Sequence, residues 1–594
     1  MRSIIVVSAC LLALAAGAAH GQYSRGSHHH AGPGSSSPCD AGRFDGSIKN
    51  FKESGEAGKL SHKVSTNNTP AQQFFDQGLT FFYGFDSESA MRSFHQASRE
   101  DPGLAMAYWG VALAAGGDLN IPTTKPCMKL AREQIRLAFD RRAQASPAER
   151  LYVEALAKRY AVPGPEPVLP DHHQLAVDYA LAMKTVYQDL RIREPKDADA
   201  GALYAYSLMN LRPWLWWTAA GQPAVEVAEV LKVVETGLPA FPDHIGLHHL
   251  HVHAMEEGPI AAAVRAKASA DFLHRNAPPI TPHLRHMPAH IYLLMGDWQG
   301  VIDANQAAVD ADRSWVEKCG SVTAPLCNQL LVGHYYSHDL LFLAVGHNNR
   351  GDLAKVLELS DQLEKNARRF LADQPGLEHY ITTKVMMLVH FAQWQLLADL
   401  PPPQSSMPGL DSKEYCNGLE HKLAAALWYF GRAMGRASLG QPAGDDLRGF
   451  QQAQACVQDA GLGWGNNAAS DVLKVVHWRL LERIARMERR PDASRMFALL
   501  AVESEDLLGY DEPPGWYVSS RETYGAALYL QKAFGEAEKV FREDQARRPN
   551  NTRSLFGLWQ ALKEQGPSKA EEARQWEERF QQHWKGAPLK MEDL

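Results

Sequence analysis

The amino-acid sequence predicts an all-α protein, built as a solenoid of stacked antiparallel helical hairpins. From Ala71 onward the apolar residues recur at helical spacing, and even the valine-rich run 225–234 carries its charges at that spacing. A motif with the spacing of a helical repeat occurs three times. The 594 residues, of which 45% are hydrophobic and 22% charged, indicate a folded chain that is too long for one ordinary core.

The repeat motif is clearest in residues 90–102, where Ala-x3-Phe-x2-Ala-x4-Pro has the spacing of the second helix of a tetratricopeptide repeat. Residues 537–549 repeat that spacing, and residues 301–308 carry a weaker copy, Val-x3-Asn-x2-Ala. Small residues let the helices approach, the large one fills the gap, and proline ends the helix. At roughly 34 residues per repeat, residues 70–590 are predicted to hold about 12 to 15 hairpins.

Composition predicts the boundaries of the array. Residues 1–21 have a basic start, an apolar run and small residues at their end, which predicts a cleaved signal peptide, and residues 22–69 predict a flexible leader. The Pro-rich stretch 399–412 predicts a linker that divides the array into residues 70–398 and 413–594. We therefore expect a secreted or periplasmic protein, and no later segment is long and apolar enough to predict a membrane span.

Six cysteines remain once the signal peptide is removed. An even number in an oxidising compartment favours disulfides, with free buried thiols as the alternative. Cys319 and Cys327 flank a short segment that contains Gly and Pro, and they are the first choice for a local bridge.

Histidine is concentrated in residues 244–290, which hold nine of the 25 in the chain. Two pairs, His249 with His253 and His286 with His290, are four residues apart. Residues at this spacing share one face of a helix, so both imidazoles of a pair can reach one ion. Two such pairs about one repeat apart should lie on equivalent faces of neighbouring hairpins.

Glu256 and His338 complete the predicted site. Glu256 follows His253 by three residues on the same face, and His338 begins the next helical pair. Imidazoles with one carboxylate favour a transition metal, copper or zinc first and iron third, over calcium or magnesium. A zinc hydrolase would use Glu256 as the base for bound water, whereas paired three-histidine sets would suit a copper oxidase or an oxygen-binding site. A buried His/Glu network without metal, or a pH-sensitive interface, is the alternative. Pro288, inside the second pair, can start a helix and leave His286 outside it.

Five motifs are spread over residues 70–590: AMAYWG (105–110), NLRPWLWWT (210–218), HMPAHIY (286–292), YDEPPGWY (510–517) and FREDQARRPNNTRSLFGL (541–558). Together they resemble a large, mostly bacterial family of tetratricopeptide-repeat proteins. The resemblance implies the repeat fold and the same candidate ligands, because the family carries matching histidine pairs, a following glutamate and a histidine at the position of His338. The family usually continues there with Asn and a second His, where this chain has Asp339 and Leu341. No single activity is established for the family, so the resemblance implies no reaction.

Trp214 and Trp217 beside Arg212 could form an aromatic wall with a cation for a small-molecule or peptide ligand, and packing between repeats is the alternative. The segment 510–517 predicts an ordered turn, with folding into the groove as the other reading. The net charge of −7 argues against nucleic acid as a partner. No nucleophile elbow, P-loop or dinucleotide fingerprint occurs, which argues against serine-hydrolase and nucleotide chemistry.

Two functions follow from the sequence. The first is an exported metalloprotein, a metal-dependent oxidoreductase or hydrolase with its site in the concave groove. The second is a non-enzymatic exported scaffold that binds a peptide or partner protein there.

Overall fold

The computed structural model describes Cys39 and residues 58–165, 172–218, 220–318 and 328–594. The predicted signal peptide, most of the predicted leader, and the pair Cys319 and Cys327 lie outside the described residues. Within them the chain is an all-α, tetratricopeptide-like solenoid, as the sequence predicts, in which consecutive helices pack against one another.

The first helices lead up to the histidine-rich part of the chain. They are α1 (Thr69–Tyr83), α2 (Ser87–Glu100), α3 (Ala105–Ala114), α4 (Lys125–Arg141), a 3-10 turn (Arg142–Gln144), α5 (Pro147–Arg159), α6 (His172–Arg193), α7 (Asp199–Met209) and α8 (Val225–Gly237).

The central helices carry the candidate site. They are α9 (Ile245–Glu256), α10 (Ile260–Asn276), α11 (Pro282–His286), α12 (Pro288–Met295), α13 (Trp298–Lys318), a π-helical turn (Leu331–Tyr335), α14 (Tyr336–Arg350), α15 (Leu353–Arg368), a 3-10 helix (Pro375–Thr382), α16 (Thr383–His390) and α17 (Trp394–Ala398).

The last helices follow a non-helical stretch. They are α18 (Lys422–Ser438), α19 (Gly444–Ala460), a small hairpin of β1 (Gly463–Trp464) and β2 (Asn467–Ala468), α20 (Ala469–Met487), α21 (Pro491–Asp506), α22 (Ser520–Leu530), α23 (Phe534–Arg547), α24 (Thr552–Lys563), a 3-10 turn (Pro567–Lys569), α25 (Ala570–His583) and a 3-10 turn (Met591–Asp593).

The first repeat motif works by inserting one aromatic ring between two glycines. Phe94 of α2 is fully buried, and a Cβ added at Gly78 of α1 would lie 2.7 Å from its ring. A Cβ at Gly110 of α3 would lie 2.4 Å from the same ring. Glycine at both positions therefore lets three successive helices close around the phenylalanine.

The same packing recurs near the C-terminus, but the third copy of the motif departs from it. A Cβ at Gly525 or Gly557 would lie 2.5 or 2.3 Å from the ring of Phe541. In the copy on α13 the phenylalanine position is Asn305, which is fully buried and donates from Nδ2 to the Val301 carbonyl at 2.7 Å. The other side-chain atom of this asparagine, Oδ1, is thereby left to face the candidate site.

Residues 58–68, the last part of the predicted leader, lie against the array. The Ser65 amide donates to Glu149 Oε1 at 2.7 Å, and the same glutamate forms the capping box of α5 with Ser146. Asn68 accepts from the Ala71 amide and caps α1. This stretch is thus joined to the array by side-chain hydrogen bonds.

Within the described part of the chain two disulfides are present, Cys39–Cys127 and Cys416–Cys456. The second ties the non-helical stretch between α17 and α18 to α19. The division of the array at 399–412 stays a prediction, although the helices do stop between Ala398 and Lys422. None of the described helices is both long and apolar enough to cross a membrane.

Candidate metal centre

Six histidines, five of them buried, converge as two groups of three. In each group the ligand nitrogens lie within 4.8 Å of one another. The first group is His249 and His253 of α9 with His283 of α11, and the second is His286 of α11, His290 of α12 and His338 of α14. The rings of His283 and His286 are 6.1 Å apart between centroids, so the two groups are neighbours.

In the first group each ring from α9 is fixed through Nδ1. His249 Nδ1 lies 2.6 Å from the Tyr83 carbonyl oxygen and therefore donates to it, while its Nε2 lies 3.2 Å from His283 Nε2. His253 Nδ1 donates to Glu256 Oε1 at 2.6 Å, and its Nε2 has no hydrogen-bond partner among the described residues. The Nε2 atoms are thus turned toward the shared point of the group.

The second group is held in the same way. His286 Nδ1 donates to Asn305 Oδ1 at 2.6 Å, and His290 Nδ1 lies 3.3 Å from Glu256 Oε2. The Nε2 atoms of His286 and His290 are only 2.6 Å apart. With the ring protons assigned to Nδ1, which faces an oxygen atom in both rings, two Nε2 lone pairs point at each other. The ring of His338 lies 4.7 Å from that of His286.

Glu256 joins the two groups, since one of its oxygens faces His253 and the other His290. Glu512, on the segment between α21 and α22, also contacts His290 Nδ1, and its carboxyl hydrogen-bonds to that of Glu256. Burial, together with the charge of Glu257, raises the pKa of Glu256 well above its usual range. Burial and the charge of Glu256 do the same to the pKa of Glu512.

Asp339 adds a further oxygen to the second group. Its Oδ1 lies 3.0 Å from His286 Nδ1, on the same side of the ring as Asn305. Burial raises the pKa of Asp339 well above its usual range, and the neighbouring buried Asp312 is raised too. Two oxygen atoms, one from Asn305 and one from Asp339, therefore face His286 Nδ1.

Burial lowers the pKa of the ligand histidines. The pKa of His253 falls to about 3 and that of His286 to about 4, and those of His249, His283 and His290 lie well below the usual value. At neutral pH these imidazoles are uncharged, which is the form that binds metal ions.

One phenylalanine backs each group. Phe85 lies against the first, with ring-centroid distances of 4.5 Å to His249, 5.2 Å to His253 and 5.4 Å to His283. Phe342 lies 4.8 Å from His286, and 4.9 Å from both His290 and His338. The oxygen acceptors and these apolar rings together restrict each imidazole to one orientation.

Helix α9 is positioned by its burial and by a close approach to α1. All of its residues are buried, so the histidines lie inside the array rather than on a surface. Gly246 allows the contact, because a Cβ there would lie 2.5 Å from the Tyr83 ring. The histidines on the opposite face of α9, His248 and His251, both hydrogen-bond to Ser269 and have a structural role.

All five histidines predicted as ligands are found in the two groups. His283 belongs to the first group but was not among the predicted ligands, although it precedes His286 by three residues and His290 by seven, on one helical face. Pro288 begins α12 and His286 ends α11, yet the rings of His286 and His290 still converge, at 4.5 Å between centroids. Glu512 was missed because its contact with the cluster is distant in sequence.

The residues predicted to bind substrate are separated. Trp214 lies 6.1 Å from the His253 ring, beside the site. Trp217 donates from Nε1 to the Ala254 carbonyl at 2.8 Å and packs on the outside of α9. Arg212 lies 3.7 Å from Glu226 in a half-exposed ion pair. Only Trp214 is thus next to the histidines.

A third cluster, His62 with Asp197 and Asp199, is saturated by protein contacts. Asp199 accepts from His62 at 2.8 Å, from His244 at 3.1 Å and from the Tyr83 hydroxyl at 2.6 Å. These bonds use the oxygen lone pairs that an ion would need, and they support Tyr83, whose carbonyl holds His249.

Neither the protein-family models nor the curated proteins compared with this chain match it. Among solved structures, the alignment with the TPR domain of P58(IPK) covers 83% of this chain and 98% of that domain's chain, at 12% identity and a TM-score of 0.21. Yeast Tom70 covers 88% and 93% at 11% identity (TM-score 0.30), and a human IFIT1 dimer with m7Gppp-AAAA covers 87% and 90% at 12% identity (TM-score 0.29). Scores this low add nothing to the fold assigned above from the chain's own helices, and nothing to the function.

Proposed function

We propose that this chain is an exported protein with a dinuclear transition-metal centre, copper in the first place, and that it acts as an oxidoreductase on dioxygen. The observation that carries the proposal is the 2.6 Å separation of His286 Nε2 and His290 Nε2. With the ring protons assigned to both Nδ1 atoms, neither Nε2 has a hydrogen to donate. A metal ion bound by both nitrogens would replace this repulsion with coordination.

The surroundings of the rings fit metal ligands better than a closed hydrogen-bond network. Metal-binding histidines commonly donate the other ring N–H to a carboxylate, carbonyl or amide oxygen. His249, His253, His286 and His290 all direct Nδ1 at such an oxygen. His253 Nε2 has no hydrogen-bond partner among the described residues and so remains available to an ion.

The donor set favours copper. Each group offers three neutral imidazoles, and the nearby carboxylates stand on the Nδ1 side of the rings, which suits copper or zinc better than oxygen-seeking ions. Two copper ions held by imidazoles can exchange two electrons with one molecule of dioxygen. A zinc hydrolase with Glu256 as its base fits the geometry of the site less well, because both Glu256 oxygens already face histidine Nδ1 atoms.

The alternative function, a scaffold that binds a peptide or partner protein, gives the buried histidines no direct role in binding. His249 and His286 are completely buried, so they offer no surface to a partner protein. If the chain is only a scaffold, its partner binding should survive His249→Ala and His286→Ala, whereas a metal-dependent activity should be lost in both.

Export and family membership belong to the proposal too. The two disulfides are consistent with an oxidising compartment, as the predicted signal peptide requires. The YDEPPGWY motif, which resembles a family motif, contributes Glu512 to the cluster, which gives that motif a use at the metal centre.

Elemental analysis of protein purified from its native compartment tests the proposal. We expect about two transition-metal ions per chain, and about one in His283→Gln and in His338→Gln, since each removes a ligand from a different group. His248→Gln is the matched control, because His248 lies on the opposite face of α9 and should leave both ions bound. Native protein without stoichiometric metal, or ligand variants that retain both ions, would overturn the metal centre.

A further inference from the structure

A small cavity next to the metal centre, of about 90 Å³, is walled by aromatic rings, and we call it the aromatic chamber. The rings in its lining include those of Trp214, Tyr335, His379, Tyr380, Trp464 and Tyr510. We propose that the chamber is the substrate site of the metal centre and that it takes a phenol with an extended apolar substituent. This inference rests on the proposed function and names its substrate class.

The position of the chamber connects it to both groups of histidines. His253 and His283 of the first group line it, and so do His290 and His338 of the second. A molecule in the chamber therefore contacts the edges of both groups at once, which is the place for a substrate of a two-ion centre.

The walls favour a flat ring. Trp214 and Tyr510 stack with their planes 20° apart and their centroids 6.1 Å apart. Elsewhere in the lining, His379 lies over Tyr380 at 4.0 Å and beside Trp464 at 6.1 Å, with interplanar angles of 37° and 31°. Planar faces of this kind bind an aromatic ring by offset stacking.

Two polar atoms call for a hydroxyl on that ring. Asn120 Nδ2 donates to the Tyr335 hydroxyl at 3.1 Å, whereas Asn120 Oδ1 is buried without a hydrogen-bond partner among the described residues. The Tyr510 hydroxyl is also buried without one. A phenol hydroxyl can supply what either atom lacks, by donating to Asn120 Oδ1 or by accepting from the Tyr510 hydroxyl, and buried polar groups gain most from such a partner.

The acidic lining argues against an anionic ligand. Asp511 and Glu512 both line the chamber, and no lysine or arginine does so among the described residues. An aromatic carboxylate would therefore find no cationic side chain in this lining, and only the metal ions would offset its charge. A neutral phenol needs no such partner.

A second cavity gives room for the substituent. It measures about 740 Å³ and shares Tyr335, His379 and Gly465 with the chamber. Its lining includes apolar side chains such as Met91 and Leu331. The chamber is too small for more than the ring, so an apolar substituent would extend into this larger space, whose size is usual for small-molecule sites.

Binding of 4-hexylphenol to the metal-loaded full chain tests the inference, with hexylbenzene, 4-hexylaniline and 4-hexylbenzoate as comparison ligands and metal content measured on the same samples. We expect the phenol to bind about ten-fold more tightly than hexylbenzene, because the analogue leaves the polar atoms unpaired. Asn120→Ala should remove this preference while hexylbenzene affinity stays the same. Trp464→Leu should weaken both ligands, and the control Trp478→Leu, which removes a tryptophan stacked on Phe497 outside the chamber, should weaken neither.

The failures of the two proposals are distinguishable. Full metal content with phenol affinity no greater than that of hexylbenzene, the aniline or the benzoate overturns the chamber assignment and leaves the metal centre standing. Specific phenol binding by protein that never holds metal overturns the metal centre and leaves the chamber as a phenol-binding site. Binding of a tyrosine-containing peptide, with none of 4-hexylphenol, overturns the assignment of a small-molecule substrate.

Discussion

Glu256 should control both ions through the two histidines that it touches. Its Oε1 holds His253 of the first group, and its Oε2 faces His290 of the second. In Glu256→Ala both rings lose an acceptor at Nδ1. In Glu256→Gln the amide oxygen can still accept from one ring, but the amide nitrogen cannot accept from the other.

The expected loss follows from these contacts. Removing the oxygen partner of a metal-bound histidine weakens metal affinity about 10- to 100-fold, or about 1.4–2.8 kcal/mol per ion. In Glu256→Ala the first site should show this full loss. At the second site the loss of metal affinity should be closer to about 10-fold, because Glu512 still contacts His290 Nδ1. Glu256→Gln should weaken mainly one site.

Competition with a chromophoric chelator measures the two affinities separately, with thermal unfolding of each metal-free variant as a check on the fold. Glu149→Gln is the matched control: it changes another buried carboxylate, which accepts from the Ser65 amide at 2.7 Å and belongs to neither group of histidines, and it should change neither affinity. If Glu256→Ala leaves either site at its wild-type affinity, or if Glu149→Gln causes the same loss, the bridging role is wrong.

Three further predictions concern stability. Phe94→Ala should lower the free energy of unfolding by about 3–5 kcal/mol in urea titrations, because it empties a packed position between three helices; an unchanged midpoint would contradict that packing. Burial lowers the pKa of His62, but its hydrogen bond with Asp199 and the charges of the nearby carboxylates outweigh this and raise it to about 9. The stabilisation is therefore fully present below about pH 6.5 and lost as the pH rises through 9, so His62→Gln should flatten that decline, and an equally steep decline would refute the pairing. Replacing both Cys416 and Cys456 with serine should cost about 4 kcal/mol by loop entropy at their separation of 40 residues, measured as a lower thermal midpoint, whereas wild-type stability in the serine variant would show that the bridge contributes nothing.

The features that the sequence predicts best are local. The fold follows from helical periodicity and from a motif whose phenylalanine and proline recur at fixed spacing, as around Phe94 and Phe541. The histidine pairs of α9 and of α11 with α12 were found for the same reason, since residues four apart meet on one face. Trp217 and Arg212 lie on a loop, and the direction in which a loop side chain points depends on packing that no sequence spacing encodes.

The features that the sequence could not predict depend on distant contacts. Glu512 reaches His290 from a segment after α21, and Tyr83 holds His249 from the end of α1. Asn305 is instructive, because its signal was present as a departure from the repeat motif. In the copy of the motif on α13, the phenylalanine position carries this amide, and its Oδ1 accepts from His286 Nδ1.

The origin of Glu512 has a consequence for the order of maturation. If the chain is exported as we propose, and crosses the membrane unfolded with its N-terminus first, all six histidines emerge before the segment that carries Glu512. Until α21 and α22 are in place, His290 lacks one of its two carboxylate contacts. Metal bound before that point would occupy an incomplete site. Full metal content would therefore indicate that the chain from Tyr83 to Glu512 has crossed the membrane and folded.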